Sequence, residues 1–187
     1  SVCCEAEHKK AAGHGYNIDA RGEKNILGVK NHSIEQIVNS DNYRRIRREM
    51  LAGKIPDSCM GCKKIEDGGG RSKRIRDSIW KDDWSKVTAE DGTITPNLRS
   101  IELRLGNHCN LRCRSCNAES STKWIKEYDL LKDKLPLASN YDKIRAEDRY
   151  SFDWVDSDEF YQDILAHTGD LRELHISGGE PFLIPRH

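Results

Sequence analysis

The sequence predicts an α/β chain in two parts. Residues 1–95 read as a small, mostly helical and loop-rich cysteine module, and residues 96–187 as the opening of a βαβ architecture. Three observations carry this. Apolar residues recur mostly at period two in Leu98, Ile101, Leu103 and Leu105, and a second strand-like run covers Leu171–Ser177. Two helical stripes lie between those runs, so the strands are expected to be parallel. Seven cysteines fall into tight groups, three of them directly after the first run.

Each element has its own local reason. Residues 1–32 are polar and dotted with glycine (Gly13, Gly15, Gly22, Gly28), which reads as a loop-rich lead-in. Ser33-Ile-Glu-Gln36 is a Ser-x-x-Gln capping box that opens a short helix. Asp41 to Ala52 reads as a second helix, with Tyr43, Ile46, Met50 and Leu51 on one stripe and Gly53 just past its end. Pro56 leads into a turn at Cys59–Cys62. Gly68-Gly-Gly70 precedes a helix expected over Ser72 to Trp84, and Asp91-Gly92 with Pro96 marks a boundary.

The strand expected over Leu98–Leu105 runs into a loop with Cys109, Cys113 and Cys116. Ser120 to Leu135 repeats apolar residues at Trp124, Ile125, Tyr128, Leu131 and Leu135, a helical spacing. Residues 136–156 are polar and give no pattern. Ser157 to His167 reads as a capped helix facing Phe160, Tyr161, Ile164 and Leu165 inward. The second strand stops at Gly178-Gly179. The four tryptophans, Trp80, Trp84, Trp124 and Trp154, read as packing residues. His108 precedes the first cysteine of the loop and reads either as a cofactor contact or as an exposed loop residue, while His14, His32 and His175 show no sequence partner.

Charge and composition narrow the function. Charged residues make up 33% of the chain, above the usual share of roughly 25%. Small cores among solvated helices and loops follow. Basic and acidic residues balance at 31 each, which argues against nucleic acid as the partner. The balance is uneven locally: Asp41–Lys81 holds 12 basic and 6 acidic residues, while Glu127–Asp163 holds 5 and 11. No run approaches the roughly 18 apolar residues of a membrane span, and no signal peptide is visible. The chain starts at Ser1 and ends a few residues after a strand and glycine turn, so both ends read as cut.

Seven cysteines cannot all pair within one chain. They group as Cys3-Cys4, Cys59-x-x-Cys62 and Cys109-x3-Cys113-x2-Cys116. Close spacing suits thiolates turned toward one centre, whereas a disulfide framework links distant segments. Thiolate ligands favour zinc, Cu(I) or iron–sulfur centres, and a reducing cytoplasm keeps them available. Three loop thiolates leave one position open, as a substrate- or cofactor-binding centre requires. Cys59-Met-Gly-Cys62 alone stays open between a zinc half-site, a redox pair and half of a cluster site.

Cys109-x3-Cys113-x2-Cys116 together with Gly178-Gly-Glu-Pro181 closely resembles the radical S-adenosylmethionine superfamily. The resemblance implies a partial (β/α)6 barrel, of which this chain holds the first strand, first helix region and second strand. It implies that Cys109, Cys113 and Cys116 ligate a 4Fe–4S cluster whose fourth iron is chelated by S-adenosyl-L-methionine. Gly178, Gly179 and Glu180 would hold the methionine amino group. One electron, from a reductant such as flavodoxin or ferredoxin, would then release a 5′-deoxyadenosyl radical that abstracts hydrogen from substrate. The family usually carries an aromatic or bulky apolar residue before the third cysteine; this chain has Ser115.

The first part resembles a SPASM/twitch-type auxiliary cluster module set ahead of that core. The residues are Cys3-Cys4, Gly28, Ser33–Ser40, Arg47–Gly53, Cys59-x-x-Cys62, Glu66, Gly69 or Gly70, Ser72 and Arg74. The resemblance implies a second iron–sulfur cluster on Cys59, Cys62 and Cys4, with zinc or no metal as alternatives and a fourth ligand expected upstream of Ser1. It also implies a peptide or protein substrate, with a small molecule or sugar as the alternative. A core that stops at the second strand is expected to hold its cluster loosely and turn over poorly. The competing reading is a non-catalytic module stabilised by zinc or an electron-transfer cluster, or an accessory fragment that has lost activity.

Overall fold

Tyr16–Ile18 (β1) and Lys24–Ile26 (β2) pair antiparallel, with Tyr16 opposite Ile26 and Ile18 opposite Lys24. This hairpin lies inside the segment the sequence marks only as a loop-rich lead-in. The computed structural model describes residues 16–77, 83–118, 120–131, 134 and 153–183. It divides into two compact units, Ser1–Pro96 and Asn97–His187.

In the first unit the hairpin turn is built on Asp19, whose carboxylate accepts from the backbone N–H groups of Arg21 and Glu23 at 2.8 and 2.9 Å. Two three-residue strands cannot stand alone. They are fastened to Asp41–Leu51 (α2), where Asp41 accepts from the Ile18 N–H at 2.9 Å and donates its own N–H to Asn17 at 3.1 Å. Ile34–Val38 (α1) opens with both halves of the capping box: Ser33 accepts from the Gln36 N–H, and Gln36 accepts from the Ser33 N–H. The α2 stop matches its glycine. Gly53 N–H reaches the Met50 carbonyl and Lys54 N–H the Glu49 carbonyl, the crossed pair of a Schellman end. The α2 stripe is narrower than its sequence suggests: Ile46 is buried, but Met50 and Leu51 are about half exposed.

Met60–Asp67 (α3) follows a short 3₁₀ turn over Asp57–Cys59, so Cys62 lies in a helix rather than in a turn. Gly68–Gly70 closes α3 by the same crossed bonds, Gly69 to Glu66 and Gly70 to Ile65. The helix expected over Ser72 to Trp84 is observed as Lys73–Asp77 (α4), with a separate 3₁₀ turn at Trp84–Lys86; Trp80 lies outside the described residues. The Asp91-Gly92 turn docks on α2. Arg47 donates from Nε to the Gly92 carbonyl and from Nη2 to the Val38 carbonyl, both at 2.6 Å. Asn39 meets both the N–H and the carbonyl of Ile94. Burial holds the Arg47 guanidinium below its ordinary pKa.

In the second unit Ser100–Arg104 (β3) and Glu173–Ser177 (β4) pair in parallel, Ser100 with Glu173 through Arg104 with Ser177. The β3 strand is shorter than the period-two run, because the Leu98 N–H is taken by the His167 carbonyl at 2.7 Å. Ile125–Leu131 (α5) follows a 3₁₀ turn at Thr122–Trp124, and Asp158–Ala166 (α6) is capped by Ser157, which accepts from the Phe160 N–H. In α6 Phe160 and Ile164 are buried, while Leu165 is 64% exposed and so faces away from the core. Leu105 and Val155 form the small core, with Leu103 and Ile176 against it. Val155 comes from the end of the patternless stretch; residues 136–152, with Leu135, lie outside the described residues. The unit is a mixed α/β arrangement in which no barrel closes among the described residues. Among those residues no helix is long and apolar enough to cross a membrane.

Candidate functional site

The parallel ladder does not end with the strands. Beyond β3 the chain continues through Gly106-Asn-His108, and beyond β4 through Gly178-Gly-Glu180. Leu105 N–H donates to the Ser177 carbonyl, Gly179 N–H to the Gly106 carbonyl at 3.0 Å, and Glu180 N–H to the His108 carbonyl at 2.8 Å. The Gly-Gly turn is thereby pressed against the root of the cysteine loop. A Cβ on Gly178 would overlap the Gly106 carbonyl oxygen, and one on Gly179 would overlap that of His108. Gly178 also has φ +128, a region closed to most side chains. Two glycines are required because two backbones meet there. The Glu180 carboxylate accepts from the Phe182 N–H at 3.2 Å, which turns it back over its own loop.

The three loop cysteines differ in exposure. Cys109 is buried, Cys116 half-buried and Cys113 exposed, and all three are free thiols. The Leu111 N–H donates to the Cys109 sulfur at 3.4 Å, the kind of contact that stabilises a thiolate. Several residues that carry no sequence signal hold the loop. Thr122 accepts from the Cys109 N–H at 3.3 Å and donates its own backbone N–H to the Asn107 carbonyl at 2.9 Å. Ser121, fully buried, donates to the Leu111 carbonyl at 2.8 Å. The Trp124 indole donates to the Cys113 carbonyl at 3.2 Å, so this tryptophan straps the loop rather than merely packing. Arg112 pairs with Glu127 of α5. The Glu127 carboxyl is held below its usual value, first by a backbone hydrogen bond and then by Arg112.

Soft thiol donors on a loop at the carboxyl ends of parallel strands suit an iron–sulfur group in donor chemistry. In the structure as it stands, no three His, Cys, Asp or Glu side chains among the described residues form a group able to hold a metal ion. The loop thus brings the three cysteines to one end of the ladder without drawing their sulfurs to one point. His108 presents only its backbone to the turn, its side chain being exposed, and His175 is exposed on β4.

In the first unit Cys59 is half-buried at the α3 N-cap and Cys62 is buried one turn on. Glu66 lies on the same helix face, four residues beyond Cys62. It is bound by the Ser72 hydroxyl and by Arg74, whose Nε lies 3.2 Å from its carboxylate. Those bonds hold the Glu66 carboxyl below its usual value, the Arg74 bond first. Cys4 and Cys3 lie outside the described residues. An open cleft of about 650 Å³ in this unit is lined by neither Cys59 nor Cys62. It is lined by Asn17, Asn39, Asp41 and Arg44, which are already bonded to neighbours. Comparison of the chain with protein-family models, with curated proteins and with solved structures finds no match.

Proposed function

We propose that the second unit is the cofactor-binding part of a radical S-adenosylmethionine iron–sulfur protein, and that the first unit holds an auxiliary thiolate centre at Cys59 and Cys62, with Cys4. The observation that supports this most is the backbone pairing of Gly179 and Glu180 with Gly106 and His108. It sets a glycine turn bearing a carboxylate beside the loop of Cys109, Cys113 and Cys116. In this reading the three thiolates bind iron and leave one position for the amino acid end of S-adenosylmethionine. The paired glycines leave room for that ligand to approach backbone, and Glu180 offers a carboxylate to its ammonium. Arg112, Trp124 and Thr122 fix the loop. When bound, the cluster and S-adenosylmethionine supply one-electron cleavage of a sulfonium carbon–sulfur bond and hydrogen abstraction from a substrate, for which we propose a peptide or protein.

Anaerobic reconstitution tests this. The expected result is a brown protein containing iron and sulfide that forms 5′-deoxyadenosine with dithionite and S-adenosylmethionine. Cys113→Ala is expected to abolish that product. A colourless protein holding stoichiometric zinc overturns the proposal.

A further inference from the structure

The three thiols of the cysteine loop are not held alike. Cys113 and Cys116 bracket a tight turn with Arg114 and Ser115 at its centre, and the Cys116 N–H donates to the Cys113 carbonyl at 3.0 Å. A turn closed in that way brings its end Cα atoms within about 7 Å. A disulfide spans Cα separations of about 4.4–6.8 Å. The Trp124 indole binds the same Cys113 carbonyl at 3.2 Å and fixes the turn from outside. Cys113 is exposed and Cys116 half-buried, and both are free thiols. The Cys116 thiol donates to the Asn117 carbonyl at 3.6 Å, a weak bond that is readily given up. Cys109 differs: it is buried, its sulfur accepts from the Leu111 N–H, and its own N–H is held by Thr122. Access and turn geometry therefore set Cys113 and Cys116 apart as a pair.

We infer that Cys113 and Cys116 are an oxidation site of the loop, joining as a reversible disulfide whenever no metal binds them. The oxidant is a small disulfide of the glutathione class. Cys113, the exposed thiol, attacks glutathione disulfide, forms a mixed disulfide and releases one glutathione. Cys116 then attacks the mixed disulfide, closes the intramolecular bond and releases the second glutathione. Two protein thiols are oxidised, one glutathione disulfide is reduced, and each thiol hydrogen leaves on a glutathione. In a reducing compartment a bond of this kind is transient and acts as a sensor. It occupies two of the three thiols proposed to bind iron, so disulfide and cluster exclude one another. It also keeps the exposed Cys113 off the irreversible steps of thiol oxidation. The inference concerns the loop's own thiols and holds whether or not the cluster reading does.

The test uses the whole chain, reduced with dithiothreitol in the presence of a chelator and then freed of both. It is equilibrated with mixtures of reduced and oxidised glutathione, quenched, alkylated and digested with trypsin for mass spectrometry. Cleavage after Arg104, Arg112, Arg114 and Lys123 puts the three loop cysteines on separate peptides, 105–112, 113–114 and 115–123. The expected product links 113–114 to 115–123. Because the folded turn supplies the proximity, this link is expected at about tenfold lower oxidised glutathione than in concentrated urea. A link from 105–112 to either other peptide, glutathione adducts without a link, or an equal midpoint in urea overturns the inference. A chain that retains no iron and sulfide on reconstitution yet forms the expected link supports the disulfide and overturns the cluster reading.

Discussion

The indole N–H of Trp124 donates to the backbone carbonyl of Cys113 at 3.2 Å, and the same carbonyl accepts from the Cys116 N–H at 3.0 Å. One oxygen thus carries both the internal turn of the cysteine loop and its tie to the 3₁₀ turn that leads into α5. The indole side of this bond can be removed without altering a cysteine.

Trp124→Phe keeps an aromatic side chain and deletes the donor together with the smaller of the two indole rings. The lost bond is worth about 1 kcal/mol. Iron is expected to leave the reconstituted loop about fivefold faster in the presence of a chelator. Loss of visible absorbance under anaerobic conditions measures it. Equal rates would mean that the strap does not hold the loop.

Gly179→Ala places a methyl group on the His108 carbonyl. Neither backbone can withdraw without breaking the Glu180–His108 bond, so the second unit is expected to lose about 2–3 kcal/mol. Faster hydrogen exchange at the Glu180 amide is the local readout. An alanine variant with wild-type exchange there would place the turn away from the loop.

Gly92 and Gly22 make a controlled pair. Both have positive φ, +88 and +80. Around Gly22 no atom lies within 4 Å of a Cβ, whereas at Gly92 the Cβ would overlap the Arg44 carbonyl. Gly22→Ala is expected to cost about 1 kcal/mol from backbone conformation alone. Gly92→Ala adds the overlap and costs about 2–4 kcal/mol. Denaturant unfolding of the two variants compares them, and equal losses would contradict the close approach.

Asp41 sets an acid limit on the hairpin. Its carboxyl is held below its ordinary value of 3.8, first by the Ile18 N–H and then by the Arg44 guanidinium. A carboxyl whose folded pKa is depressed stabilises the fold above its unfolded value, and that contribution disappears as pH falls through the folded value. Stability measured from pH 6 down to about 2 is therefore expected to fall more steeply for the parent than for Asp41→Asn. Asp91, Glu66 and Glu127 are depressed too, so the difference between the two profiles is the quantity that isolates Asp41. Parallel profiles would show that the Ile18 contact carries no linkage.

Local signals are the ones that read well from sequence. The Ser33–Gln36 capping box, the Gly53 stop and the alternation of Ile101 and Leu103 depend on neighbours a few residues away. The β1–β2 hairpin is illegible because its strands are three polar-rich residues each and its anchor, Asp41, lies 23 residues from Ile18. Exposure of Met50, Leu51 and Leu165 shows the limit of periodicity: a stripe names a face, while the width that is covered depends on what packs against it. At the site, cysteine spacing and the double glycine are legible as residues. What is invisible is which carbonyl an indole reaches, or that Arg112 pairs with Glu127 and Arg74 with Glu66. Those pairings are decided by tertiary geometry across 15 and 8 residues of chain.

The parallel ladder joins Arg104 to Ser177 and Ser100 to Glu173, while the hairpin joins Ile18 to Lys24. Bringing the β3 and β4 ends together costs about 2 kcal/mol more in chain entropy than closing the hairpin, because the cost grows with the logarithm of loop length. Among the described residues, the small Leu105–Val155 core packs against the two-stranded ladder and offsets part of that cost. Any group that grips both the cysteine loop and the Gly178–Glu180 turn ties the two ends of that long loop. Its binding energy then becomes folding energy for the second unit. A ligand at this corner would close the chain as much as it would fill a pocket.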